Sequence, residues 1–259
     1  MNQLSKTFFC TLFSLTAVCS LSFGQKTTTP TPAPAKTSDA IALQKSIYQN
    51  ALKYQDASTA KTALHTLIGL GATDAAYKDS LLVLYYSSQS SASAVLLGRE
   101  LHAADPNNKI TLAILAGAEQ SVGLITEALD HYKKLYAISK SPADLYQGAT
   151  LEYRLQRIAE CKASLEAILA NPASEKEQVY ISYNEREGQN VPLKAAAWNI
   201  MGFLAQTNKE MEAAKTCFKK ALEIFPEFTL VKNNIEYLEN PPKQEGAQGQ
   251  NGQVRMPNK

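Results

Sequence analysis

Between Trp198 and Pro226 large and small side chains fall at spacings that suit a pair of closely packed helices. Trp198 is followed after two residues by Met201-Gly202, and after two more by Ala205. Ala214 is followed after three residues by Phe218, then by Ala221 and Pro226. Gly202 and Ala214 are small where two helices cross at close range, while Trp198, Met201 and Phe218 fill the space on either side. Pro226 stops the second helix and starts a turn. One such pair buries too little apolar surface to fold by itself, so the chain must carry neighbours of the same kind.

The neighbours follow at a fixed period. Ala60, Ala94 and Ala128 stand 34 residues apart, and with Pro106 matched to Pro226 the first three units span 41–74, 75–108 and 109–142. Tyr85 takes the first-helix aromatic place of the second unit, Tyr132 the second-helix aromatic place of the third, and Gly123 the turn of the third. The first unit is the most degenerate, with Ile47, Tyr48, Leu64 and Ile68 as generic core, as befits a terminal repeat. A fourth unit covers roughly 141–172, with helices expected near Ala143–Leu155 and Ile158–Ala170. Gly148 and Ala167 suit Pro172 as its end, whereas Tyr153 and a turn at Arg157 suit a phase one or two residues later, so an altered turn is expected. The fifth unit is 195–228. Leu230, Val231, Ile235 and Leu238 then mark one more amphipathic helix that closes the stack.

These spacings resemble the tetratricopeptide repeat, a helix–turn–helix unit of 34 residues with the signature W-x2-L-G-x2-Y, A-x3-F, P. Met201 stands for the Leu and Ala205 for the Tyr. The resemblance implies an all-α fold, a right-handed superhelix of about five helix pairs plus a capping helix. It further implies that the first helices line a concave groove for an extended peptide or a partner helix. Carried over position by position, the groove residues are Val83, Tyr86 and Ser87; Ala113, Gln120 and Ser121; Leu145, Glu152 and Tyr153; and Asn199, Phe203 and Gln206. The competing expectation for Tyr86 and Phe203 is packing against the next repeat. The Lys/Asn/Arg carboxylate clamp of the family's chaperone-binding members has no match: Ala76, Asp79 and Ser80 are not basic, and Ile114 and Ile200 replace its Asn.

Around this body, residues 1–24 read as a signal peptide: Lys6 is the positive n-region, Thr7–Phe23 the apolar segment, and Ser22 and Gly24 suit cleavage before Gln25. Residues 25–40 read as a Thr/Pro-rich linker, 41–240 as the solenoid, and 241–259 as a disordered Gln/Gly/Asn/Pro tail. The leader and linker resemble the layout of exported Gram-negative envelope proteins, which implies a periplasmic or outer-membrane-associated place. Membrane association would come only through a partner or an uncleaved leader. Ala173–Lys194 interrupts the period. Its Val179–Tyr183 and Gln189–Val191 read either as a small hairpin or as an ordered loop without pairing.

A formal charge of only +2 gives no pull toward nucleic acid. His65, His102 and His131 lie far apart on successive second helices without ligand spacing, and Cys161 and Cys217 read as free buried thiols. Glu152, Glu160 and Glu166 read as solvated helix-face acids. No phosphate loop, nucleophile elbow or CxxC is present, so the expectation is a protein without enzymatic activity, cofactor or metal. The expected function is an exported scaffold or adaptor that binds partner proteins or peptides. The alternative is a structural envelope subunit whose repeats mediate self-assembly.

Overall fold

A computed structural model of the chain describes residues 35–184 and 186–240. The leader over 1–24, residues 25–34 of the linker and the tail over 241–259 lie outside the described residues. Five helix pairs stack in chain order: α1 (Ala35–Lys53) with α2 (Ala57–Gly69), α3 (Ala76–Ser87) with α4 (Ser91–Ala104), and α5 (Lys109–Ser121) with α6 (Ile125–Ser139). They continue with α7 (Pro142–Arg154) and α8 (Ile158–Ala170), then α9 (Leu193–Thr207) and α10 (Met211–Ile224), and α11 (Thr229–Glu239) packs on the last pair. α1 starts at Ala35, inside the stretch read as linker. The last proline is Pro34, and nothing between Ala35 and Ala40 breaks a helix.

Within every pair three residues join the helices, and the middle one is left-handed: Gln55 (φ 56°), Gln89 (φ 57°), Gly123 (φ 87°), Gln156 (φ 58°) and Lys209 (φ 64°). The third residue sends its N–H back to a carbonyl of the first helix, as Asp56 to Ala51 (2.8 Å), Ser90 to Tyr85 (2.8 Å), Leu124 to Glu119 (2.9 Å), Arg157 to Glu152 (2.8 Å) and Glu210 to Ala205 (2.8 Å). This closure satisfies carbonyls that the helix end would otherwise leave unpaired. Measured between these left-handed residues, the units repeat at 34, 34, 33 and 53 residues.

The interval of 33 resolves the phase of the fourth unit. α4 and α5 are joined by four residues, Asp105 to Asn108, but α6 and α7 by only Lys140 and Ser141, with Lys140 left-handed (φ 55°) and Ser141 capping α7 ahead of Pro142. One residue is lost, so the tight crossing falls at Ala149 rather than Gly148. Its second-helix partner is Cys161, and the place of Ala221 falls on buried Ile168 rather than on Ala167, which is exposed. Cys161 is buried where the other units have Ala60, Ala94, Ala128 and Ala214, and its thiol donates to the Ala149 carbonyl at 3.3 Å. Cysteine serves there as a small apolar residue.

The interval of 53 contains the insert, a short 3-10 turn (Pro172–Glu175) followed by a hairpin of β1 (Gln178–Ser182) and β2 (Gly188–Pro192). The strands are antiparallel, with Val179 opposite Val191 and Tyr180 opposite Asn190. Val179, Ile181 and Val191 join the core around α9, while Tyr180 on the other face is 65% exposed. Two contacts anchor the hairpin. The Glu177 carboxylate accepts from Ala143 N–H at the start of α7 (3.0 Å). The Gln189 side chain brackets the turn before α11, donating to the Glu227 carbonyl (2.8 Å) and accepting from Thr229 N–H (2.9 Å).

Candidate functional site

One position of each first helix, three residues before the left-handed turn residue, turns a side chain toward the face those helices share. It is Leu52, Tyr86, Gln120, Tyr153 and Gln206 in the five units. α3 meets α5 and α7 meets α9 along this face, whereas no two second helices approach as closely among the described residues. That difference curves the stack toward the first helices. Leu52 and Tyr86 are exposed, and Gln120, Tyr153 and Gln206 are half-buried. None of the five is charged.

Neighbouring units support this row. Tyr86 lies across Gly117 of α5, where an added β-carbon would stand 2.5 Å from its hydroxyl oxygen, so glycine is what lets the ring lie flat. Tyr153 reaches Phe203 (ring centroids 6.3 Å apart) and Thr207 Oγ1 (3.4 Å) in the next first helix. Gln120 and Gln206 each carry a shielded amide oxygen with no hydrogen-bond partner among the described residues. Val83, one turn earlier on α3, is exposed.

Three residues carried over to the groove are not open to a ligand: Glu152, 3% exposed and turned to the seam between second helices, Asn199 and Phe203. Asn199 is 1% exposed and its Oδ1 accepts from Asn234 of α11 (3.2 Å); Phe203 is 2% exposed, with the Phe218 ring edge-on at 5.7 Å. The closing helix and the repeat's own second helix claim Asn199 and Phe203. The repeat anchors lie where the close crossings require: Ala60, Ala94, Ala128, Ala214, Phe218 and Ala221 are buried, and Gly202 lies against the Phe218 ring. Pro106 and Pro226 are exposed in the turns between units, and Trp198 is half-buried beneath Lys220 Nζ at 4.2 Å.

Behind the first helices, the seams between successive second helices hold a second row that the sequence reading missed. Its members stand four residues before the left-handed residues of the second, third and fourth units and bond back to the preceding second helix. Tyr85 Oη meets His65 Nε2 (2.7 Å), Glu119 accepts from Arg99 Nη2 (3.1 Å), and Glu152 meets Lys133 Nζ (3.2 Å). Glu119 is fully buried and also meets His131 Nδ1 (2.6 Å); Glu152 also accepts from Ser164 Oγ (2.8 Å). Glu152 is therefore not the solvated acid expected. These buried carboxylates persist because each has a cation and a second hydrogen bond beside it. The signal was available: the two acids share one repeat position, and each has a basic residue about 20 positions upstream, in the preceding helix.

Burial, aided by the nearby Glu152 charge, pushes the Cys161 thiol up to about 12, so it is a poor nucleophile, and burial also raises half-buried Cys217. Burial, and then the neighbouring His131 and Lys134, lower the pKa of His102, whose ring meets His131 edge-on at 5.1 Å. Among the described residues no group of three His, Cys, Asp or Glu is placed to hold a metal ion, and no helix is long and apolar enough to cross a membrane.

No protein-family model matches the chain, and no curated protein matches it in sequence. Solved structures do match in shape. A tetratricopeptide repeat protein from Parabacteroides merdae is 13% identical, with 78% of this chain and 74% of that one covered and a TM-score of 0.60. YrrB, described as a TPR protein with an unusual peptide-binding site, is 12% identical over 77% of this chain and 97% of its own, with a TM-score of 0.60. MamA is 13% identical over 82% of this chain and 100% of its own, with a TM-score of 0.58. At these identities the likeness is one of fold.

Proposed function

We propose that this chain, a solenoid of tetratricopeptide-repeat fold, is an exported scaffold without enzymatic activity that holds a protein or peptide segment along its first-helix face. The observation that carries the reading is the row Leu52, Tyr86, Gln120, Tyr153 and Gln206, one side chain per unit, uncharged and mixing apolar, aromatic and amide groups. Such a surface suits an extended segment: amides pair with its N–H and C=O groups, and aromatic rings supply contact area at low entropic cost. The peptide-binding site named for YrrB, a protein of the same fold, supports a peptide as ligand. The leader over 1–24 supports export to the envelope, with mature protein starting at Gln25.

Photo-crosslinking tests this. A benzophenone amino acid placed at Leu52, Tyr86 or Gln206 in the cell envelope should trap the same partner, and Tyr86→Ala with Gln120→Ala should weaken that partner's binding in purified, folded protein. Adducts only at Tyr180 would move the site to the hairpin and refute the groove. Intact-mass measurement of the exported protein checks the leader: a chain retaining residues 1–24, or carrying a lipid on Cys19, overturns cleavage before Gln25.

The self-assembly reading has one observation in its favour. α11 closes one end of the stack with Lys232, Asn233, Glu236 and Glu239 outward beside Tyr237, whereas at the other end Leu43 of α1 and Tyr54 of the turn after it are more exposed still. If copies associate through that end, Leu43→Ser with Tyr54→Ser lowers the mass seen by sedimentation. A chain that is monomeric without these changes removes this reading.

A further inference from the structure

The seam between α2 and α4 carries a charged residue where the later seams carry large apolar ones. It holds a cavity of about 390 Å³ floored by Ile68, Leu81 and Leu97, walled by the His65–Tyr85 pair, and edged by Leu96, which is 74% exposed. The later seams show why it is open. Counted from the left-handed turn residues, Lys78 of α3 aligns with Leu112, Leu145 and Trp198, the large apolar side chains of their units. Glu100 of α4 aligns with Lys220, the residue lying over the Trp198 ring. At the first seam both places are charged, and Lys78 and Glu100 pair with each other at the surface instead of filling the interior.

We propose that this cavity receives one aromatic side chain from a protein partner, presented next to an acidic residue. The chain itself shows what fits: its last seam accommodates an indole at the same position, under a lysine ammonium. Lys78 at the mouth can serve an incoming ring as Lys220 serves Trp198. The acidic neighbour follows from charge. Lys78 and Glu100 neutralise each other, and Lys61 lies 6.0 Å from the Tyr85 ring centre. Its Nζ donates to Ser88 Oγ (3.0 Å), and it has no carboxylate partner among the described residues. An acidic group beside the ring would give Lys61 its counter-charge. The site lies behind the first-helix face and is independent of the groove reading, since no residue is shared.

The experiment is a methyl-NMR titration of the full chain with acetyl-Asp-Trp-amide, and with acetyl-Lys-Trp-amide and indole as controls. The expected result is saturable shifts of the Ile68, Leu81 and Leu97 methyls, with the lysine peptide about two- to fivefold weaker, the range of one exposed ion pair. Lys78→Trp, which supplies the side chain the last seam has, should leave the protein folded and abolish the shifts. Leu96→Ser, at an exposed rim residue, should weaken binding without altering the fold, and serves if the tryptophan variant does not fold. Absent shifts, shifts retained in both variants, or equal binding of the lysine peptide or of indole would overturn the proposal. Tyr86→Ala with Gln120→Ala should not affect this titration, which separates its failure from failure of the groove.

Discussion

Gly202 has no room for a β-carbon. One built there would stand 2.6 Å from Phe218 Cδ1, within a ring buried on all sides. Gly202→Ala should therefore cost about 1–3 kcal/mol by overpacking, read from the denaturant midpoint. Trp198 is a milder case. The ring is half-buried and one face is covered only by the Lys220 side chain, so Trp198→Ala should cost about 2–3 kcal/mol, below the 3–5 of a fully buried aromatic. A loss as large as that of a core phenylalanine would mean the ring is more enclosed than this. His102 gives a pH signature. Its folded pKa lies below the ordinary value of 6.5, because burial, His131 and Lys134 disfavour its charge more than Glu119 and Asp105 favour it. The unfolded chain then binds more protons between the folded pKa and 6.5. The stability from this group is complete above about 6.5 and is lost as pH falls toward the folded value. Thermal melts of His102→Gln should show a shallower loss on acidification than the parent; an identical pH profile would mean another group causes it.

At the scale of elements, the repeated unit is a helix pair closed by a left-handed residue, and only one of the five such residues is glycine. Gly123 has open space around it, so Gly123→Ala tests the backbone alone and should cost about 1 kcal/mol. Gln89→Gly at the aligned place should gain about 0.5–1 kcal/mol. Opposite signs in the two melts are the expected outcome, and equal signs would mean that side-chain contacts dominate the turn. Of the two contacts that anchor the hairpin, Gln189 is the one that imitates backbone pairing. Gln189→Ala removes two hydrogen bonds to the turn before α11 and should cost about 1–2 kcal/mol. Faster hydrogen exchange at the Thr229 amide is the local readout; unchanged protection would show that the Glu177 contact and the apolar face of Val179, Ile181 and Val191 hold the hairpin without it. Turn residues such as Gln55 and Lys209 were hard to read in advance because glutamine and lysine carry no left-handed preference. The fold of the whole turn imposes it.

For the whole molecule, the first-helix row carries no charge, so partner affinity should change little between low and moderate salt, and a steep salt dependence would point to the charged seams instead. The order of five helix pairs, their 34-residue register and the crossings at Ala60, Ala94, Ala128 and Gly202 were legible from the sequence alone. Those features depend on which side chains share one stripe of a helix, and helical spacing determines that locally. The fate of Asn199 and Phe203, the burial of Glu119 and Glu152, the one-residue loss between α6 and α7 and the open seam behind Lys78 were decided only by the tertiary structure. Each turns on a contact with a residue outside its own helix: Asn234, Phe218, Arg99, Lys133, Ser141 or Glu100. Spacing places a residue on a face, but whether that face meets water or another helix is settled by the neighbour packed against it.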